Sequence, residues 1–118
     1  MTKGILIVEP NGYLSETLTN LLNSFGFKVV GATANTSEIL SMVQDFDPDL
    51  ILTDFDLSQK LDIGFIKGQY PNLKIIAYGV NEAVDGFAEL ARKAGLDGFY
   101  CRYSSQKILL ESINTALS

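Results

Sequence analysis

Four charged side chains that could act together each follow a short apolar stretch of the chain. Three are the carboxylates of Glu9, Asp54 and Asp56, and the fourth is the guanidinium of Arg102. Carboxylates gathered around one pocket repel one another unless a cation or a basic side chain neutralises them. Because magnesium prefers oxygen ligands, such a pocket could hold this ion, and an aspartate beside it could accept a phosphoryl group. Taken one at a time, the same residues could equally be polar strand ends in solvated loops.

The apolar stretches that precede these side chains have the length and composition of buried strands. Each is a short, continuous run of mainly aliphatic or aromatic residues, which is typical of strands covered on both faces of a parallel sheet. The five predicted strands are residues 5–8, 28–30, 50–52, 75–77 and 99–101.

Segments of helical length separate the strands. Asn35 and Glu38 have the spacing of a capping box at the start of the second helix. The third predicted helix, between residues 61 and 70, is the weakest, because Gly64 and Gly68 disfavour helix. The other three helices show apolar side chains at helical spacing in residues 14–25, 87–94 and 104–117.

Strands that alternate with helices predict an α/β fold with a doubly wound, five-stranded parallel sheet and helices on both faces. The length of 118 residues suits a single domain over residues 1–118. In such sheets the functional crevice lies beyond the carboxyl ends of the strands, at the point where the strand order reverses. With strand order 2-1-3-4-5, the first and third strands are neighbours there, so we expect Glu9 and Asp54 to face each other.

The composition excludes several classes of function. The chain has no histidine, which removes histidine-based catalysis and histidine-ligated zinc, and its net charge of −5 disfavours direct nucleic-acid binding. No glycine-rich turn follows the first strand, so we expect no organic cofactor. Cys101 is the single cysteine and no apolar run could cross a membrane, so we expect a cytoplasmic protein. We also expect that the protein is not an enzyme.

Four stretches carry a resemblance across the whole chain: residues 5–9, residues 48–54, residues 74–77 and residues 95–99. Their order and spacing resemble the landmarks of the response-regulator receiver domain of two-component systems. The resemblance implies a (βα)5 flavodoxin-like fold that takes phosphate from a histidine kinase onto an aspartate and changes its surface in response. Asp54 stands at the phospho-acceptor position. The resemblance also implies that Glu9, Asp54 and the backbone carbonyl of Asp56 hold magnesium and that Arg102 pairs with the phosphoryl oxygens.

Several positions depart from the pattern of the family. Pro10 replaces the second acid after the first strand, so we expect weakened magnesium binding. Gly79 lacks the hydroxyl that receivers carry after the fourth strand. Arg102 and Tyr103 replace the Lys-Pro pair, and without proline we expect a trans peptide bond there. Phe99 occupies the aromatic switch position, but we expect its ring to be simply part of the core.

Three hypotheses for the function follow. The first is an atypical receiver with Asp54 at the phospho-acceptor position, a degraded magnesium and switch site, and a role largely in protein–protein interaction. The second is a fully phosphorylatable receiver switched by a histidine kinase, and the third is a small-ligand-binding module on the same fold. The expected partners are a histidine kinase, an output domain or another protein. The resemblance also implies a homodimer through the face of the fourth helix, fifth strand and fifth helix, residues 82–92 and 100–117.

Overall fold

A computed structural model describes residues 2–79, 92–101 and 105–118 of the chain. Five parallel strands form one sheet in the order β2-β1-β3-β4-β5. This arrangement confirms the predicted fold class and strand order. The strands are β1 (Gly4–Val8), β2 (Lys28–Thr33), β3 (Leu50–Asp54), β4 (Lys74–Gly79) and β5 (Gly98–Cys101).

Helices connect the strands in the described part of the chain. Most of the helix predicted over residues 87–94 lies outside the described residues. A helical turn after β3 was not predicted from the sequence; it is the four-residue helix α3. The helices are α1 (Gly12–Ser24), α2 (Ile39–Phe46), α3 (Phe55–Ser58), α4 (Ile63–Gln69) and α5 (Gln106–Leu117), with a 3-10 turn at Thr36–Glu38.

The sheet separates two apolar clusters. On one face α1 and α5 pack against the sheet through side chains such as Leu22 and Ile113, and on the other face α2 and α4 pack through side chains such as Val43 and Ile66. The three central strands are almost wholly buried, as their continuous apolar sequences predict. Strand β2 is different: it lies at an edge and is only partly covered, so the expectation of burial on both faces is wrong for that strand.

The capping box predicted at Asn35 and Glu38 forms only in part, because Asn35 is a cap but Glu38 does not return the bond. The Asn35 side chain accepts a hydrogen bond from the Ser37 backbone N–H at 3.0 Å and caps the 3-10 turn. The Glu38 carboxylate does not reach back to the Asn35 N–H, because the Thr33 hydroxyl lies between them. That hydroxyl accepts from the Asn35 N–H at 3.0 Å and donates to Glu38 at 3.1 Å.

Helix α4 forms although it contains two glycines. Asp62 caps its first turn by accepting a hydrogen bond from the Phe65 N–H at 3.0 Å. Ile63 and Ile66 are both buried in the core of that face. The cap and the burial of two isoleucines outweigh the unfavourable helix propensity of glycine, which is about 1 kcal/mol per residue. Among the helices of the described segments, none has the length and hydropathy needed to span a bilayer.

Candidate functional site

The register of the central strands brings acidic residues to one edge of the sheet. In the parallel β1–β3 pair, Val8 lies opposite Thr53, so Glu9 follows β1 at the level where Asp54 ends β3. In the β3–β4 pair, Asp54 lies opposite Tyr78. The three side chains therefore follow one another across the carboxyl edge of neighbouring strands, where the crevice of a doubly wound sheet lies.

Among the predicted site residues that the structure describes, Glu9 is the most deeply buried. Its exposed fraction is 3%. Oxygen Oε1 accepts a hydrogen bond from the Tyr78 hydroxyl, and oxygen Oε2 accepts one from the backbone N–H of Asn11 at 2.8 Å. A buried carboxylate needs such donors, because taking it out of water without partners would be very costly. Both oxygens of Glu9 are thus engaged by groups of the protein itself.

Asp54 has a structural role in addition to its position at the carboxyl edge of the sheet, where it lies between Glu9 and Tyr78; we call this edge the rim. Asp54 is half-buried, and its Oδ1 accepts a hydrogen bond from the Leu57 N–H at 3.0 Å, which makes it the N-terminal cap of α3. Asp56 lies in the first turn of this helix and is exposed. The short helix forms because the Asp54 carboxylate satisfies one of the N–H groups that a helix start leaves without a partner.

Gly79 and Phe99 are close neighbours at the ends of β4 and β5. A Cβ atom at position 79 would lie 3.1 Å from Cζ of Phe99 and 3.6 Å from Cβ of Phe55. The rings of Phe55 and Phe99 meet edge to face, with centroids 5.7 Å apart and an interplanar angle of 82°. Phe99 is half-buried and packs against the core cluster of the α2 and α4 face. The absence of a side chain at Gly79 therefore leaves room for the Phe99 ring.

Two of the remaining positions are described by the structure, and two are not. Pro10 is exposed immediately after Glu9. Cys101 is buried at the end of β5. Arg102 and Tyr103 lie outside the described residues, and so does the peptide bond between them, so the predictions made for them stay predictions.

Tyr78 was missed by the sequence analysis. It stands in a continuous apolar strand, where an aromatic residue is ordinarily part of the core, and its ring does belong to the cluster beneath α1 and α5. The signal that could have found it is its position: in the predicted strand order, β4 lies beside β3, and Tyr78 comes just before the strand ends. A polar-tipped side chain at that place can reach the crevice.

Tyr100 lies opposite Tyr78 on β5 and is also buried. Its hydroxyl donates to the backbone carbonyl of Ser105, 3.4 Å away, ahead of α5. Burial, and to a smaller extent the neighbouring Cys101, raises the pKa of Tyr100 above the usual 10.0 of the phenol. The two tyrosines thus have similar settings, but the hydroxyls bind different partners.

A metal centre made of three side chains is not assembled in residues 2–79, 92–101 and 105–118. No three His, Cys, Asp or Glu side chains converge there as potential ligands. The hypothesis that Glu9, Asp54 and the carbonyl of Asp56 hold magnesium stays a prediction.

The family model of the response regulator receiver domain matches residues 5–114. The chain belongs to this family. Receiver domains act in two-component phosphorelay signalling and generally bind Mg2+ for phosphorylation. A comparison with curated proteins found no match.

Solved structures of response regulators share the fold of this receiver. A response regulator from Thermotoga maritima superposes with a TM-score of 0.82 at 21% identity, over 98% of its own chain and 99% of this receiver. An orphan response regulator of H. pylori superposes with a TM-score of 0.79 at 20% identity, over 97% of its own chain and 98% of this receiver. A chain in the structure of the P1 domain of CheA3 in complex with CheY6 from R. sphaeroides superposes with a TM-score of 0.79 at 20% identity, over 96% of that chain and 98% of this receiver.

Proposed function

We propose that this receiver domain signals mainly through protein–protein contacts and that phosphorylation of Asp54 is much reduced. The observation that carries the proposal is the state of Glu9, whose two carboxylate oxygens accept hydrogen bonds from Tyr78 and Asn11 in a nearly fully buried setting. The role is one of signalling, and we expect no substrate turnover by the domain.

The metal chemistry of the rim supports reduced phosphorylation. Mg2+ requires near-octahedral oxygen coordination and is usually held by only one or two carboxylates, so the loss of a single carboxylate ligand weakens its binding substantially. Pro10 contributes no side-chain oxygen, and the Asp54 oxygen that caps α3 is already engaged. The described residues therefore fit the magnesium site of the family poorly.

The neighbourhood of Gly79 supports an altered conformational switch. Receivers carry a hydroxyl after the fourth strand that is drawn to the bound phosphoryl group, and Gly79 has none. Phe99 already packs over the space where that side chain would stand. We therefore infer that the position of Phe99 does not depend on phosphorylation.

The surface beside the rim suits a protein partner. Tyr13, in the first turn of α1 next to Asn11, is 83% exposed. Large exposed aromatic side chains are enriched at protein interfaces. The R. sphaeroides structure pairs CheY6 with the P1 domain of CheA3, and we propose that the partner here is a histidine kinase, an output domain or another protein. Homodimerisation through the predicted face of residues 82–92 and 100–117 is the further contact that we propose; residues 82–91 and 102–104 of this face lie outside the described residues, and Ile108 in α5 is exposed.

Phosphorylation is tested by mass spectrometry of the intact protein. Wild type and Asp54→Asn are incubated with acetyl phosphate and Mg2+, and we expect both to remain largely unmodified. Complete addition of one phosphoryl group to wild type, absent from Asp54→Asn, would overturn the proposal and favour a fully phosphorylatable receiver.

A further inference from the structure

The hydroxyl of a buried tyrosine is hydrogen-bonded to the carboxylate that a cation at this rim would need. The Tyr78 hydroxyl donates to Oε1 of Glu9, and the two side chains are only 2% and 3% exposed. A hydrogen bond to an ionised acceptor in a buried setting is stronger than one between neutral groups. Tyr78 therefore stabilises the buried Glu9 carboxylate without a metal ion.

The ring of Tyr78 is held so that its hydroxyl stays at the rim. It belongs to the buried cluster between the sheet and the helices α1 and α5, together with Leu18, Leu52 and Leu109. Rotating the phenol away from Glu9 would disturb that packing or leave the hydroxyl without its acceptor, and each change is unfavourable in a close-packed interior. The hydrogen bond is thus fixed by the core on one side and by Glu9 on the other.

We propose that Tyr78 lowers the affinity of this rim for divalent cations by satisfying the Glu9 carboxylate in advance. A cation that binds Glu9 must compete with the phenolic proton of Tyr78 for the same oxygen. The positive charge of the cation would then lie close to that proton. This inference rests on the proposed function and names Tyr78 as the residue responsible for the weak cation binding. Tyr78 acts through Glu9 and is not a catalytic residue.

The test compares Mg2+ binding of wild type, Tyr78→Phe and Tyr100→Phe by isothermal titration calorimetry. The Tyr100 hydroxyl bonds the Ser105 carbonyl, so Tyr100→Phe is a matched control that removes a buried phenolic hydroxyl without touching Glu9. We expect Tyr78→Phe to bind Mg2+ about tenfold more tightly than wild type, since a competing hydrogen bond to a charged group is lost. The control should bind as wild type does.

Mg2+ should also raise the melting temperature of Tyr78→Phe more than that of wild type, because a ligand that binds the folded state stabilises it. Equal Mg2+ affinities of Tyr78→Phe and wild type would overturn the inference. So would an equal gain in affinity in Tyr100→Phe, which would show that the loss of any nearby phenol suffices.

A measurement on wild type keeps the inference testable if Tyr78→Phe does not fold. In protein labelled with 13C at the tyrosine ζ carbon, the Tyr78 signal should not change as Mg2+ is added through the micromolar range. A saturable shift of that signal at micromolar Mg2+ would overturn the inference. Full phosphorylation of wild type by acetyl phosphate would instead contradict the proposed function, whereas the ratio of Mg2+ affinities would still decide the role of Tyr78.

Discussion

Replacing Gly79 by alanine tests how tightly Phe99 is seated at the end of the sheet. The new Cβ would lie 3.1 Å from Cζ and 3.5 Å from Cε2 of Phe99, and 3.6 Å from Cβ of Phe55. The shortest of these distances is tighter than ordinary van der Waals contact, so the ring must move by a few tenths of an ångström. Its edge-to-face contact with Phe55 and its packing on the core resist that movement.

The expected magnitude follows from two opposing effects. Overpacking a well-filled site costs about 1–3 kcal/mol. Replacing glycine by alanine lowers the entropy of the unfolded chain and returns about 0.4–1 kcal/mol. We therefore expect Gly79→Ala to lower the free energy of unfolding by about 1 kcal/mol, which corresponds to a fall in melting temperature of about 4 °C for a small domain.

Urea unfolding followed by far-UV circular dichroism measures this difference. Gly98→Ala is the matched control on the next strand, because a Cβ there would meet its nearest atom, Cγ1 of Ile76, at an ordinary 3.5 Å. The control should be neutral or slightly stabilising. In a Phe99→Leu background, the cost of Gly79→Ala should shrink, because residues in contact are energetically coupled. A Gly79→Ala protein as stable as Gly98→Ala would refute the reasoning.

Two further predictions concern stability. Oδ2 of Asp97 accepts hydrogen bonds from the Ile75 N–H at 2.8 Å and from the Lys67 ammonium at 2.5 Å. In urea unfolding, Asp97→Ala should lower the free energy of unfolding by about 1–3 kcal/mol, because a part-buried N–H loses its acceptor. Lys67→Met should lower it by only about 0–1 kcal/mol. Equal costs would contradict this ranking. Because burial raises the pKa of Tyr100, the folded state binds the phenolic proton more tightly than the unfolded state, so this contribution is present below pH 10 and is lost as the pH rises through the folded pKa. Urea unfolding between about pH 9 and pH 11 should therefore show a steeper loss of stability for wild type than for Tyr100→Phe, and parallel curves would contradict this.

Much of the fold could be predicted because the central strands have no polar face. The continuous apolar runs of β1, β3 and β4 suit only a sheet covered on both sides, and alternation with helices then restricts the topology. Burial of β2 was overestimated because its valines resemble those of a central strand, although it lies at an edge. Helix α4 was weakly predicted, since propensity alone does not register the burial of Ile63 and Ile66 or the cap at Asp62.

The candidate site could be predicted only to the level of strand ends. That Glu9 and Asp54 reach one edge follows from the strand order 2-1-3-4-5, which is the order of the flavodoxin-like fold that the sequence resembles. The partners of their side chains do not follow, because the Tyr78 hydroxyl reaches Glu9 across β3, and that depends on strand register and ring orientation. The α3 turn was missed for a similar reason, since a four-residue helix depends on the capping bond from Leu57 to Asp54 rather than on an apolar stripe.

The occupancy of the rim can be measured directly in crystals of the wild-type protein soaked with Mn2+, whose anomalous scattering locates the ion. We predict no anomalous peak between Glu9 and Asp54, with the Tyr78 hydroxyl and the Asn11 N–H still bonded to Glu9. A fully occupied Mn2+ coordinated by Glu9 and Asp54, with Tyr78 displaced, would contradict the account.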